Sequence, residues 1–227
     1  ISLYGDSFTF GSEVDNDACW SSALSEIMGC CVKNFGVPGY GSDQAYLRFT
    51  KQKMDIAQIT ILGFMSENII RNLTRNWDLI STVGYYGLKP RFSINKEKSL
   101  TLVPLPELSE KQYLQSIGLK SPQLQLPHEN FQPGGAAGEV QLAFPYTLSV
   151  IRNLQSSRML CSRRQEPYHL QFYEEDHSLR GLDVTVKIFE KSLKRVRKEE
   201  AGHSSCCWSI YMNCIPTEKP AYGHMVT

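Results

Sequence analysis

Ile1-Ser2-Leu3-Tyr4-Gly5-Asp6-Ser7-Phe8-Thr9-Phe10-Gly11-Ser12 is the stretch whose reading decides the fold. Ile1 to Tyr4 is a short run of strand formers, and the glycine and polar residues that follow mark a turn at its end. In an open α/β sheet, ligands sit outside the carboxyl ends of the strands. Ser7 is therefore a candidate nucleophile at the rim of a sheet. Taken alone, Gly-Asp-Ser is equally ordinary turn chemistry.

A second junction of the same kind follows in Val32-Lys33-Asn34-Phe35-Gly36-Val37-Pro38-Gly39-Tyr40-Gly41-Ser42-Asp43-Gln44. The two junctions, in this order, resemble the first two sequence blocks of the SGNH/GDSL hydrolases. Gly5-Asp6-Ser7 with Thr9 and Gly11 is similar to block one, and Asn34 to Gly39 to block two. The resemblance covers Ile1 to about Asn72 and implies an α/β fold: a three-layer flavodoxin-like parallel sheet with helices on both faces, incomplete at its C-terminus. It also implies a serine esterase or acyl hydrolase working through an acyl-enzyme on Ser7. An SGNH-type acyltransferase, passing an acetyl group to a sugar or another alcohol, would use the same site.

The family's oxyanion hole implies three donors here: the backbone N–H of Ser7, the backbone N–H of Gly39 and the side chain of Asn68. Gly39 suits its role because a residue without Cβ lets its backbone approach a substrate. The third block departs from the family's glycine, any residue, asparagine, aspartate, since this chain has Gly63-Phe64-Met65-Ser66-Glu67-Asn68. A first-turn helix residue is the alternative reading of Asn68. The family's final Asp-x-x-His has no match, because His224 has Ala221 three positions before it. The expectation is that the sequence stops before the last strand and the catalytic histidine.

A serine hydroxyl needs a base to take its proton. Glu174-Glu175-Asp176-His177 places a carboxylate three residues before a histidine, at a spacing that suits a base with its orienting acid. A surface histidine in a charged loop is the plainer reading. His128, His169 and His203 carry no partner pattern.

Composition limits the other classes. The 227 residues, 41% hydrophobic, suffice for one core, and a single domain over 1–227 is the economical expectation. A net charge of +1 gives no bulk electrostatic reason to expect nucleic acid. No apolar run approaches the roughly 20 residues that cross a bilayer. No secretory signal is visible, and seven cysteines without a Cys-x-x-Cys pair favour a reducing, cytoplasmic setting, with the thiols packed as small hydrophobes. No metal or cofactor is expected. The expected partner is a small-molecule or carbohydrate ester, and oligomeric state is not readable.

Along the chain, Trp20, Ala23, Leu24 and Ile27 recur at helical spacing, with Asn16 or Asp17 as cap and Gly29 as stop. Cys30 to Phe35 reads as a second strand, Gln44 to Lys53 as a helix capped by Ser42 or Asp43, and Ala57 to Phe64 as a buried third strand. Ser66 to Leu73 continues as a helix with Ser66 as cap. Strands alternating with helices argue for parallel βαβ units.

From about 81 to 166 the periodicity degrades and most of the prolines collect, which predicts a cap or insertion beside the site. Short helices are expected at Glu110–Ile117 and Leu142–Leu160, and Tyr85, Tyr86 and Phe92 could line a groove or pack in the core. Leu182, Val186, Phe189, Leu193 and Val196 predict the buried seam of an amphipathic helix with a solvated basic outer face. Ser205 to Ile215 predicts a fourth strand. A different class of function, a non-catalytic flavodoxin-like binding module, needs a phosphate cradle. The opening loop has no Gly-Lys-Ser/Thr ending, and no Gly-x-Gly-x-x-Gly opens a helix.

Overall fold

The computed structural model describes residues 1–52, 57–81, 87–112, 126–133, 137–140, 143–154 and 167–200. Its first half alternates as the sequence predicts: β1 (Ser2–Tyr4), α1 (Ser7–Phe10), α2 (Trp20–Met28), β2 (Lys33–Asn34), α3 (Ser42–Lys51), β3 (Thr60–Leu62) and α4 (Asn68–Leu73). The three strands form one parallel sheet in the order β2-β1-β3, with Leu3 opposite Asn34 on one side and Ile61 on the other. β1 is central and its three residues are all buried.

A 3₁₀ turn (Trp77–Leu79) follows α4 and leads to an antiparallel hairpin, β4 (Arg91–Ile94) and β5 (Leu100–Val103). The hairpin lies within the stretch whose sequence looks irregular. Its turn is closed by the Asn95 side chain, which accepts from the Ser99 backbone N–H at 2.7 Å, with Lys98 at φ 56°. Asparagine closes such turns because its side chain mimics a backbone acceptor. The remaining elements are α5 (Tyr146–Asn153), a 3₁₀ segment (Tyr168–Tyr173) and the long α6 (Gly181–Glu200).

Three apolar clusters hold these pieces. Tyr4 and Leu62 pack with Ala45 and Phe49 of α3, joined by Phe35, Phe189 and Val196. Phe92 and Leu100 of the hairpin pack on Val184 and Ile188 of α6. Ile69 and Leu73 of α4 pack with Phe131, Ala137 and Phe172. The hairpin is thus a structural wall against α6. Asn72 ties α3 to α6, its Oδ1 accepting from the Asp43 N–H at 3.1 Å while its Nδ2 donates to Thr185 Oγ1 at 3.0 Å.

Several expectations differ from what is observed. α2 buries Ser21, while Ala23 is exposed and Ile27 is 81% exposed. Its apolar spacing does not mark a core face, because Ser21 is the side chain that receives the Asn34 amide. Its N-cap is Cys19, with no side-chain cap bond. Gly29 does close the helix at φ 59°. α3 starts two residues earlier than expected, on Gly41, and α4 is preceded by Glu67 rather than capped by Ser66.

The buried face of α6 runs through Val184, Thr185 and Ile188, and Val186 points outward at 44% exposed. A buried hydrogen bond to Asn72 draws Thr185 inside, which rotates the helix off the purely apolar seam. Its basic face is partly engaged too: Lys191 donates to the Leu100 carbonyl and Arg195 lies over Phe49. Cys19 is buried, but Cys30 and Cys31 are exposed. The predicted strand Ser205–Ile215, His203, His224, Tyr85, Tyr86 and most of Glu110–Ile117 lie outside the described residues. Among the described residues no helix is long and apolar enough to cross a membrane.

Candidate functional site

Each strand of the parallel sheet runs out into a glycine, and α1 is seated on all three. A Cβ on Gly5 would meet Thr9 Oγ1 at 2.0 Å, one on Gly63 would meet the same atom at 2.2 Å, and one on Gly36 would meet the Phe10 backbone nitrogen at 2.5 Å. No side chain fits at these glycines, where the Thr9 side chain and the Phe10 backbone lie against the strand ends. Asn34 fastens the arrangement: its Nδ2 donates to the Thr9 carbonyl at 2.8 Å and its Oδ1 accepts from the Gly36 N–H at 2.9 Å.

Ser7 is the first residue of α1 and is half-buried. Asp6 caps the helix, accepting from the Phe8 N–H at 3.0 Å, and is itself 2% exposed. Gly39 lies in the loop between β2 and α3 at φ 83°, a left-handed conformation that favours glycine. The loop is held to the β1 turn by a bond from the Val37 N–H to the Gly5 carbonyl at 3.1 Å.

One guanidinium joins these parts. Arg71 Nη1 donates to the Tyr40 carbonyl at 3.1 Å and lies 3.5 Å from Asp6 Oδ2, and its guanidinium stacks over Trp77 at 4.9 Å. The residue before Ser7 and the residue after Gly39 thus share a partner, which brings the two predicted loops to one rim. Arg71 stands three residues after Asn68 on α4, on the same helical face. Asn68 is 1% exposed, and its Oδ1 has no hydrogen-bond partner. An unsatisfied buried acceptor costs about 1–3 kcal/mol, and a native fold retains few of them.

Beside Gly39 a hollow of about 330 Å³ opens, lined by Val37, Pro38, Gly39, Tyr40, Gln44, Trp77, Gly87 and Lys89. Lys89 is 4% exposed, and its Nζ donates to Asp43 Oδ2. Burial pushes the Lys89 ammonium down and the Asp43 carboxyl up, each against the pull of its partner.

The internal acid–base pair is not assembled. His177 Nδ1 accepts from the Leu179 N–H at 3.2 Å, and its ring packs on Phe172. A neutral ring that accepts at Nδ1 carries its proton on Nε2, the reverse of the tautomer in which Nδ1–H faces an acid and Nε2 takes the serine proton. Glu174 meets His177 through its backbone carbonyl, which accepts the His177 N–H. Burial lowers the His177 pKa, with the Glu174 charge opposing.

Arg71, Trp77 and Lys89 were not singled out in the sequence. For Arg71 a signal existed, namely its spacing from Asn68 on a short helix. For Trp77 and Lys89 none did, because the hollow is closed by segments far apart in the chain. Among the described residues no group of His, Cys, Asp and Glu is arranged to hold a metal ion.

No family model matches the chain, and no curated protein matches it. Among solved structures, it is similar to a G-D-S-L family protein of Desulfitobacterium hafniense DCB-2 named as lipolytic, at 24% identity over 37% of this chain and 42% of that one, with a TM-score of 0.27. It is also similar to AlinE4, an SGNH-hydrolase family esterase, at 20% identity over 33% of this chain and 43% of that one, with a TM-score of 0.28. The chain thus spans less than half the length of each of these two proteins, both of which carry the GDSL or SGNH family name.

Proposed function

We propose that the chain carries the nucleophile side of an SGNH-type serine esterase, with Ser7 attacking the ester carbonyl and Gly39 and Asn68 supplying oxyanion donors alongside the Ser7 N–H. The observation that carries this reading is the Arg71 guanidinium, which touches both Asp6 and Tyr40. It holds the serine turn and the glycine loop on the same side of the strand ends. The strand order β2-β1-β3 is also the opening order of a flavodoxin-like sheet, which supports the full three-layer fold over a single domain.

In this mechanism the Ser7 hydroxyl adds to the carbonyl carbon as a base removes its proton. The alkoxide then leaves with a proton, and water resolves the acyl-enzyme. The base comes from outside the Glu174–His177 loop. Where a sugar or other alcohol replaces water, the same site is an acyltransferase.

The test uses a fluorophosphonate probe, with imidazole in the buffer as an external base. Labelling is expected on Ser7, abolished in Ser7→Ala, and unchanged in His177→Ala. Asn68→Ala is expected to slow labelling by about 10²–10³, the loss typical of one oxyanion donor. Folded protein that takes no label in imidazole overturns the reading and favours the binding-module class.

A further inference from the structure

The helix α5 carries its chemistry inside out. Ser149, Asn153 and Leu154 are half-buried, while Tyr146, Leu148, Val150 and Ile151 are exposed, the last at 63%. The two polar side chains turn back on the local backbone: Ser149 Oγ donates to the Ala143 carbonyl at 2.6 Å and accepts from the Ala143 N–H at 3.0 Å, and Asn153 Nδ2 donates to the Ser149 carbonyl at 2.8 Å. The Ser149 bonds fix the turn that leads into the helix. In that turn Phe144 stands 87% exposed, its ring meeting Tyr146 edge-on at 6.2 Å.

A surface helix ordinarily turns its apolar stripe to the core. None of these residues belongs to the three apolar clusters. Single exposed apolar side chains mean little, but Phe144, Tyr146, Leu148, Val150 and Ile151 stand together on two turns of helix and its entry. A grouped patch of that kind marks an interaction surface.

The same stretch of sequence is basic. From Val140 to Gln165 it carries Arg152, Arg158, Arg163 and Arg164 and neither aspartate nor glutamate, in a chain whose net charge is only +1. Apolar face and charge belong to one continuous segment, so a partner that takes the first meets the second. A second copy of the chain is disfavoured as that partner, since a patch paired with itself sets like charges against each other. An anionic lipid surface suits both properties. Its acyl boundary takes apolar side chains without demanding a complementary shape, and its headgroups attract arginine. A tyrosine ring, apolar in body and polar at its tip, sits at headgroup level. The eight residues of α5 fall far short of the roughly 20 that span a bilayer, so the helix would lie in the surface. We propose that α5 and the turn before it dock on an anionic membrane surface, with Phe144, Tyr146 and Ile151 entering the headgroup–acyl boundary and the arginines meeting the phosphates.

The proposal is tested by co-sedimentation of the 227-residue chain with phosphatidylcholine vesicles, with and without phosphatidylserine. Binding is expected to be at least about tenfold tighter to the anionic vesicles and to weaken as salt rises. Phe144→Ser/Ile151→Ser is expected to lower it at least about tenfold, since two large side chains lose their burial in lipid. Both positions are exposed, so circular dichroism of this double variant should match the wild type. Arg152→Gln is expected to lower binding about fivefold, with Arg152→Lys close to the wild type.

Equal binding to the two kinds of vesicle, no binding to the anionic ones, or binding that survives in Phe144→Ser/Ile151→Ser overturns the proposal. So does a wild-type dimer in light scattering that the double variant lacks, which would assign the face to a second copy. Labelling of Ser7 is read separately and bears only on the esterase reading.

Discussion

Two buried arrangements of the molecule, the seat of α1 on the strand ends and the charged cluster around Lys89, are built from opposite chemistry. Under α1, Thr9 and Phe10 rest on Gly5, Gly36 and Gly63 through van der Waals contact and amide hydrogen bonds. Around Lys89 the support consists of acid–base partners: Lys89 with Asp43, and Arg75 and Arg91 with Glu129. The first fixes a position and has almost no tolerance for volume. The second fixes a charge and has almost no tolerance for losing one member. In the proposed function the former suits the serine, because a displacement of an ångström is costly to reactivity.

The largest expected effect comes from breaking the charged side. Lys89→Met leaves Asp43 buried without its counter-ion, and urea denaturation should show a loss of about 3–5 kcal/mol. The Lys89→Met/Asp43→Leu pair should recover most of it, since apolar groups of similar volume replace such pairs with little penalty. Next in size, Gly36→Ala forces its new methyl against the Phe10 backbone and should cost about 1–3 kcal/mol, with a parallel loss of probe labelling at Ser7. A stability loss with labelling intact would show that the seat of α1 does not position the serine.

Thr185→Val, which strands the Asn72 amide between α3 and α6, should cost about 1–3 kcal/mol. Because it lies on neither side of the comparison, labelling should be unaffected. The smallest effect is one of pH. The His177 pKa is lowered in the folded state, so the unfolded chain binds the proton more readily, and stability falls as pH drops below about 6.5. Stability measured against pH should show this slope in the wild type and a shallower one in His177→Gln.

The parallel half of the fold was legible because each of its elements announces itself locally. Ile1–Tyr4 is a run of strand formers broken only by the small Ser2, Gly29 ends α2 and the Gly36–Gly41 loop separates β2 from α3. The hairpin was not legible, although Asn95 is an ordinary turn former, because the prolines around it hid two four-residue strands. The α6 seam was misplaced by one buried polar contact, Thr185 with Asn72, which no apolar pattern encodes. Ser7 and Gly39 could be read as candidates, Ser7 from the strand end before it and Gly39 from the loop that follows β2. Lys89 could not, because a lysine becomes informative only once its burial is known.

Arg71 touches Asp6, the Tyr40 carbonyl and the face of Trp77 at once. The wall of the hollow and the cap of α1 therefore meet at a single side chain, so a substitution of Arg71 removes a neighbour from both at once.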